Sequence, residues 1–290
     1  MSSRAGASTI LERLHAYDRR YRSLLPGVGR LTVIAVALPG IFVLILAVIG
    51  PWIAPEPLGA SVATPFLPPG DGHLFGTDRL GRDLWSQVLY GGRDLLIIPL
   101  LATIATVAAG TALGMTMGYV QGQVETLTLA SLDILLVLPP VLVVLLLANG
   151  WGGSGIVVVI AMVLTGSPFL ARLARAATLE VSQAPFVQVS QIQGDGTFTI
   201  LRRDVLPNVI GPVLADSGIR FVGALYLVAA LSLLGFGPQT PDTNWAVMIR
   251  ENVEGAGLNI WALALPALMI ALLSVSANIV LQSVADKFAR

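Results

Sequence analysis

Long uncharged apolar runs alternate with short polar segments along this 290-residue chain. A hydrocarbon core about 30 Å thick takes roughly 20 helical residues to cross, so each such run is a candidate span. The first is Leu31 to Gly50. No charged residue occurs from Leu95 to Val124, and the next uncharged run, Ile134 to Ala171, is too long for one crossing. The glycines of "ANGWGGSG" (Ala148 to Gly155) suit a tight reversal within that run and predict two helices. A fifth span falls near Val205 to Leu234 and a sixth near Leu258 to Val284. The pattern predicts an all-α polytopic membrane protein with six transmembrane helices.

It also predicts an organisation. Residues 1–30 form a cytoplasmic N-terminal segment, 31–50 the first span and 51–93 an extracytoplasmic loop. Residues 94–290 form a five-helix domain with a cytoplasmic loop at about 176–204. The first apolar run exceeds the 7–15 residues of a signal-peptide core, and no A-x-A-like site follows at once, so a retained anchor is expected. Orientation follows from the basic residues. Arg4, Arg13, Arg19, Arg20, Arg22 and Arg30 precede span one. Arg172, Arg175, Arg202 and Arg203 flank the polar insert, and Lys287 and Arg290 close the chain. With both termini cytoplasmic all of these lie inside, leaving Arg79, Arg82, Arg93 and Arg250 outside and Arg220 within span five.

The insert itself, "PFVQVSQIQGDG" (Pro185 to Gly196), is too polar to cross a bilayer and too short for a domain. Pro185 suits the first turn of a helix, where its missing N–H costs nothing, and Gly194 suits a residue of positive φ just past the end. A helix of about nine residues fits between them. At 100° per residue Phe186, Val189 and Ile192 fall within one arc of about 120°, with Gln188 and Gln191 on other sides. Either a solvated connector or a docking element has this pattern.

Composition agrees with a chain solvated mainly by lipid: 55% hydrophobic residues, 12% charged and a mean hydropathy of +0.80, against roughly 25% charged in soluble domains. Zero net charge implies no nucleic-acid footprint. The absence of cysteine removes thiolate catalysis and Cys-built metal sites. His15 and His73, far apart in sequence, read as ordinary solvated histidines. Lys287 is the single lysine and follows Asp286, so no phosphate-binding Gly-Lys-Ser/Thr loop exists. If ATP drives this protein, another subunit binds it.

Few side chains offer chemistry. Asp78 and Asp83 with Arg79 and Arg82, in "GTDRLGRD", form a charged cluster without a nucleophile–base pair, so a structural role is expected: capping the helix that leads from Asp83 into span two. Asp133, near the cytoplasmic start of span three, is expected to be hydrated or capped. Asp216 and Arg220 stand one helical turn apart inside span five. A charge there normally faces a cavity or a partner, and the acid-first i,i+4 spacing allows the two to pair. Lining a pore and pairing at a subunit interface both fit. Trp52, Trp85, Tyr90 and Trp245, in the outward segments, are either contact residues for a partner or interface anchors.

Several stretches together resemble one family. The insert and the "VLPN" after it are similar to the EAA loop of ABC-importer permeases, with Gln188, Val189 and Ser190 at the EAA positions, Gly194 at the glycine, and Asp204, Leu206 and Pro207 at the last block. The spacing is intact, although the glutamate and both alanines are replaced. "HLFGTDRLGRDLWSQVLYGGRDLL" (His73 to Leu96), with Gly76, Thr77, Asp78, Gly81, Arg82 and Asp83, resembles the segment before the second span of C-type permeases of dipeptide and oligopeptide importers. "SLLGFGPQTPDTNWAVMI" (Ser232 to Ile249), with Trp245, is similar to that family's block after the fifth span.

The resemblance implies a type I ABC importer permease fold and half of a translocation pore in a bacterial cytoplasmic membrane. It implies a B-type permease partner, two cytoplasmic ATPase subunits and an extracytoplasmic substrate-binding protein. ATP and Mg²⁺ would be held by those partners, with no cofactor on this chain. Pro185, Phe186, Gln188, Val189, Ser190, Ile192, Gly194, Leu206 and Pro207 would couple it to the ATPases. Peptides are the commonest cargo of such permeases, with nickel chelates, metallophores and glutathione carried by relatives. The rivals from other classes are an ion-coupled secondary transporter, which predicts internal repeats that this sequence lacks, and a membrane scaffold, which gives no reason for the insert.

Overall fold

The computed structural model describes residues 30–70, 72–151, 154–236 and 242–288. The N-terminal segment with Arg4 to Arg22, the glycines Gly152 and Gly153, and Gly237 to Pro241 of the later motif lie outside the described residues, as does Arg290. What is described is mostly helical: α1 (Arg30–Ile53), α2 (Leu84–Val120), α3 (Gly122–Val137), α4 (Pro140–Trp151), α5 (Gly155–Ser182), α6 (Pro185–Ile192), α7 (Thr197–Ile200), α8 (Leu206–Leu231), α9 (Trp245–Asn252) and α10 (Trp261–Phe288). Among the described residues only isolated bridges, such as Thr77 with Asp83, represent β structure.

Three helical stretches are long and apolar enough to cross a membrane: α2, α5, and the continuous helical run 197–236 built around α8. The expected third span is not one rod. Helices α3 and α4, apolar enough to cross only when taken together, meet at 84° between Val137 and Pro140, the geometry of a broken span or of a re-entrant loop. A residue before proline is pushed out of the helical region, and Leu138 accordingly takes φ −80°, ψ 125°. Neither Pro139 nor Pro140 can donate a backbone hydrogen bond. The described apolar stretches in α1 and α10, Leu38–Ile53 and Trp261–Ala277, are shorter than the other spans.

Helix α2 is the axis on which the rest packs. Gly110, Gly114 and Gly118 recur every four residues along one of its faces, and a Cβ on Gly114 would stand only 2.4 Å from the Ala171 carbonyl oxygen of α5. Without a hydrophobic force between helices in lipid, such small-residue stripes let backbones approach and gain dispersion contact. Leu170, Ala171 and Ala174 of α5 are fully buried there. Two apolar clusters result. One, around Leu84, Val158, Leu225 and Trp245, joins α2, α5, α8 and α9. The other, around Leu170, Val187, Val205 and Val209, lies beneath the short helix α6.

Candidate functional site

The helix expected after Pro185 is present as the eight-residue α6, with Pro185 in its first turn. Gly194 takes φ +80°, with nothing within 4 Å of where a Cβ would sit, so backbone conformation alone calls for glycine. The arc predicted to be apolar faces solvent: Phe186, Val189 and Ile192 are 47%, 51% and 86% exposed. Phe198 of α7, also exposed, extends the apolar surface available at this end of the molecule. The opposite side anchors the rod. Val187 is fully buried in the cluster beneath it, and Ser190 is buried beside it.

Polar contacts fix its angle. Arg203 donates to Ser190 Oγ at 3.1 Å and to Asp195 Oδ2 at 2.6 Å, and pairs with Asp204 at 2.9 Å. Gln191 Nε2 donates to Tyr119 Oη at 3.1 Å, at the end of α2. Gln188, at the position of the pattern's glutamate, is exposed and donates only to the Gln183 carbonyl at 3.2 Å. Leu206 and Pro207 open α8, with Leu206 packed on the same apolar cluster. Sequence reasoning missed Val187, Asp195 and Tyr119. The first had a signal, since it lies opposite the predicted arc; long-range partners had none.

At the other end the "GTDRLGRD" cluster is a folded clamp. Asp78 Oδ1 accepts from the Leu80 and Arg82 amides at 2.8 and 2.9 Å, and Asp78 Oδ2 accepts from Arg82 Nε at 2.6 Å. Arg82, almost fully buried, reaches Glu251 as well. Arg79 pairs with Glu251 at 3.0 Å, and this hydrogen bond raises the guanidinium above its ordinary pKa. Asp83 caps α2 by accepting from the Ser86 amide at 2.8 Å. Gly76 and Gly81 pass so close to the Leu67 and Ala63 carbonyls that neither has room for a side chain, and Thr77 Oγ1 donates to the Thr64 carbonyl at 2.6 Å.

Two expectations are corrected here, those for His73 and Trp245. His73 is not a free solvated histidine: its Nδ1 lies 3.0 Å from Asp83 Oδ1 and only 15% of its side chain is exposed. Trp245 is not available for contact, being fully buried with its indole N–H donating to the Val88 carbonyl at 2.8 Å. Trp85 packs against Phe75 with ring centroids 5.7 Å apart, whereas Trp52 is exposed. Asp133, expected to be hydrated or capped, keeps 58% of its side chain exposed and pairs with Arg172 of α5. Arg175 pairs with Glu125 in the same way, so two ion pairs tie the bent α3 to α5.

Asp216 and Arg220 do pair, one turn apart in the middle of α8. Arg220 Nη1 also donates to the Gly166 carbonyl at 3.3 Å, and its guanidinium carbon lies 5.7 Å from the Phe169 ring centroid. Both residues line a cavity of about 290 Å³ with Thr103, Thr106, Thr165 and Pro140. A larger groove of about 640 Å³, between α1, α2, α8 and α10, is almost wholly apolar and offers little to orient a polar molecule.

A helical membrane bundle carrying a rigid, outward-facing apolar rod at one end, and an intramembrane cavity with a charged wall, defines a membrane-embedded transport subunit as its class. The chain belongs to the family described as "Binding-protein-dependent transport system inner membrane component", which matches residues 110–290. It is 31% identical over 249 residues to a dipeptide transport system permease protein, DppC, of Bacillus subtilis, covering 84% of this chain and 78% of that one. It is 32% identical over 257 residues to a di/tripeptide transport system permease protein of Pseudomonas aeruginosa, covering 84% of each. A glutathione transport system permease protein of Pectobacterium atrosepticum is 30% identical over 183 residues, covering 63% of this chain and 61% of that one. Among solved structures, an inward-facing MetNI methionine ABC transporter superposes with a TM-score of 0.52 at 15% identity, covering 68% of this chain and 96% of that one, which shows the type I ABC importer permease fold.

Proposed function

We propose that this chain is the C-type permease subunit of an ATP-driven importer of di- and oligopeptides, forming half of the pore and coupling to separate ATPase subunits. The observation that carries the reading is α6: an eight-residue rod with Val187 buried beneath it, Gly194 ending it and Phe186, Val189 and Ile192 bare on its outer side. A solvated connector has no need of such exposed apolar side chains held on so firm a base. Seated in an ATPase groove, they would contribute a few kcal/mol at about 25 cal/mol per Å². With no charge at Gln188, docking rests on packing more than on an ion pair.

In this reading α1, α2, the bent pair α3/α4, α5, α8 and α10 make six crossings, with both termini and α6 cytoplasmic. Residues 51–93 and the segment around α9 then face outward and receive a substrate-binding protein. A B-type permease supplies the other half of the pore. ATP and Mg²⁺ sit on the two ATPase subunits, since the chain has no lysine-bearing phosphate loop. The peptide permeases among its relatives favour peptide cargo, and glutathione is the alternative raised by one of them.

The test is reconstitution. Co-expressed with its neighbouring subunits and purified in detergent, the chain should bring down two ATPases and a second permease, and proteoliposomes should accumulate peptide only with ATP and binding protein present. Recovery of the chain free of ATPases, or accumulation driven by an ion gradient without ATP, would overturn the reading.

A further inference from the structure

The importer reading leaves open how a permease wall holds a polar cargo in transit. From the cavity beside α8 we infer that Arg220 is a carboxylate-binding group of the translocation path, held ready by Asp216; this rests on the importer reading above. Arg220 is the fifteenth residue of α8, about 20 Å along the helix from Leu206 at 1.5 Å per residue. A guanidinium at that depth is costly unless it is used or compensated.

Its surroundings compensate it only in part. Nε is engaged by Asp216 and Nη1 by the Gly166 carbonyl, while Nη2 makes no hydrogen bond to another described residue. The guanidinium borders the cavity, and Phe169 lies near it. The fork of a guanidinium matches a carboxylate bidentately, which an ammonium cannot do. Every unmodified peptide carries one carboxylate at its C-terminus, whatever its side chains, so a site for that group serves many sequences.

The remaining wall fits the rest of such a ligand. Thr103 and Thr165 spend their hydroxyl protons on the Pro99 and Ala161 carbonyls, at 2.7 and 3.0 Å. Their oxygens are therefore left as acceptors, suited to peptide N–H groups or an ammonium. Asp216 neutralises Arg220 while the cavity is empty and offers a second acceptor when a carboxylate takes its place. A purely structural ion pair would not need hydroxyl acceptors and an open volume beside it.

The test uses the complete importer in proteoliposomes and reads peptide accumulated per ATP hydrolysed, with binding protein saturated by a dipeptide. Asp216→Asn combined with Arg220→Gln removes the cation without stranding a lone charge, so assembly is kept and checked by subunit ratio. Losing a charge-assisted contact to the cargo should lower the transport-to-hydrolysis ratio roughly tenfold. Arg220→Lys, which keeps the charge but not the fork, should fall between that variant and the wild type. A double variant within about threefold of the wild-type ratio would overturn the assignment, and leave the importer reading intact. Absence of ATP-dependent peptide accumulation by the wild-type complex would instead sink the importer reading.

Discussion

The side-chain amide of Gln191 and the hydroxyl of Tyr119 are joined at 3.1 Å across 72 positions of sequence, tying the exposed rod α6 to the end of α2. This bond therefore links the rod to the helix that also lines the Arg220 cavity through Thr103 and Thr106. Tyr119→Phe should leave the fold intact at a cost below about 1 kcal/mol. Binding-protein-stimulated ATP hydrolysis should fall roughly two- to threefold, the equivalent of one modest hydrogen bond. Unchanged stimulation would mean that the rod moves independently of α2.

At Gly194 the strain is one of conformation, since a Cβ there meets nothing. An L side chain at φ +80° costs roughly 1–2 kcal/mol, more for a β-branched one. Gly194→Val should therefore insert and assemble yet lose stimulated ATPase activity, while Gly194→Asn, which tolerates positive φ, should retain most of it. Equal loss in both variants would point to a steric or docking role for the glycine.

The glycine stripe of α2 predicts the opposite kind of defect. Gly114→Val drives a side chain into the Ala171 carbonyl 2.4 Å away, with α5 unable to yield locally. Overpacking of this sort costs about 1–3 kcal/mol, and a thermal unfolding scan in detergent should show a lower transition temperature. Gly223→Ala, at a position of α8 where a Cβ meets nothing within 4 Å, is the control and should not lower that temperature.

Asp216 and Arg220 should show strong non-additivity in stability. Either single neutralisation leaves an uncompensated charge within the membrane region and should cost about 1–3 kcal/mol; the double change should recover most of it. A thermodynamic cycle on detergent-solubilised complexes measures this directly. Simple addition of the two single effects would show that the pair is not coupled.

The positions of the apolar helices and the bounds of α6 were legible because they depend on composition and on the backbone preferences of single residues such as Pro185 and Gly194. The Asp83 cap was legible for the same reason, being completed within three residues. The bend at Leu138 was also written locally, in two consecutive prolines, but hydropathy does not register it, because proline breaks a helix without adding charge. Trp245 could not be placed from its surroundings in sequence. Its burial depends on the Val88 carbonyl, 157 positions away. The stripe Gly110, Gly114, Gly118 carried a readable four-residue period, yet counting spans by hydropathy ignores which face of each helix is small.

The bend between α3 and α4 bears on wetting. Proline at 139 and at 140 removes the amide protons that would serve the Leu135 and Leu136 carbonyls one turn earlier, and the Leu138 amide reaches only the first of them, at 3.3 Å. Acyl chains cannot replace the missing donor, so such a carbonyl is stable at membrane depth only against protein or water. Pro140 is also part of the wall that holds Arg220. The break therefore leaves the Leu136 carbonyl to be served from outside its own helix, by neighbouring protein or by water, where an unbroken rod would have needed neither.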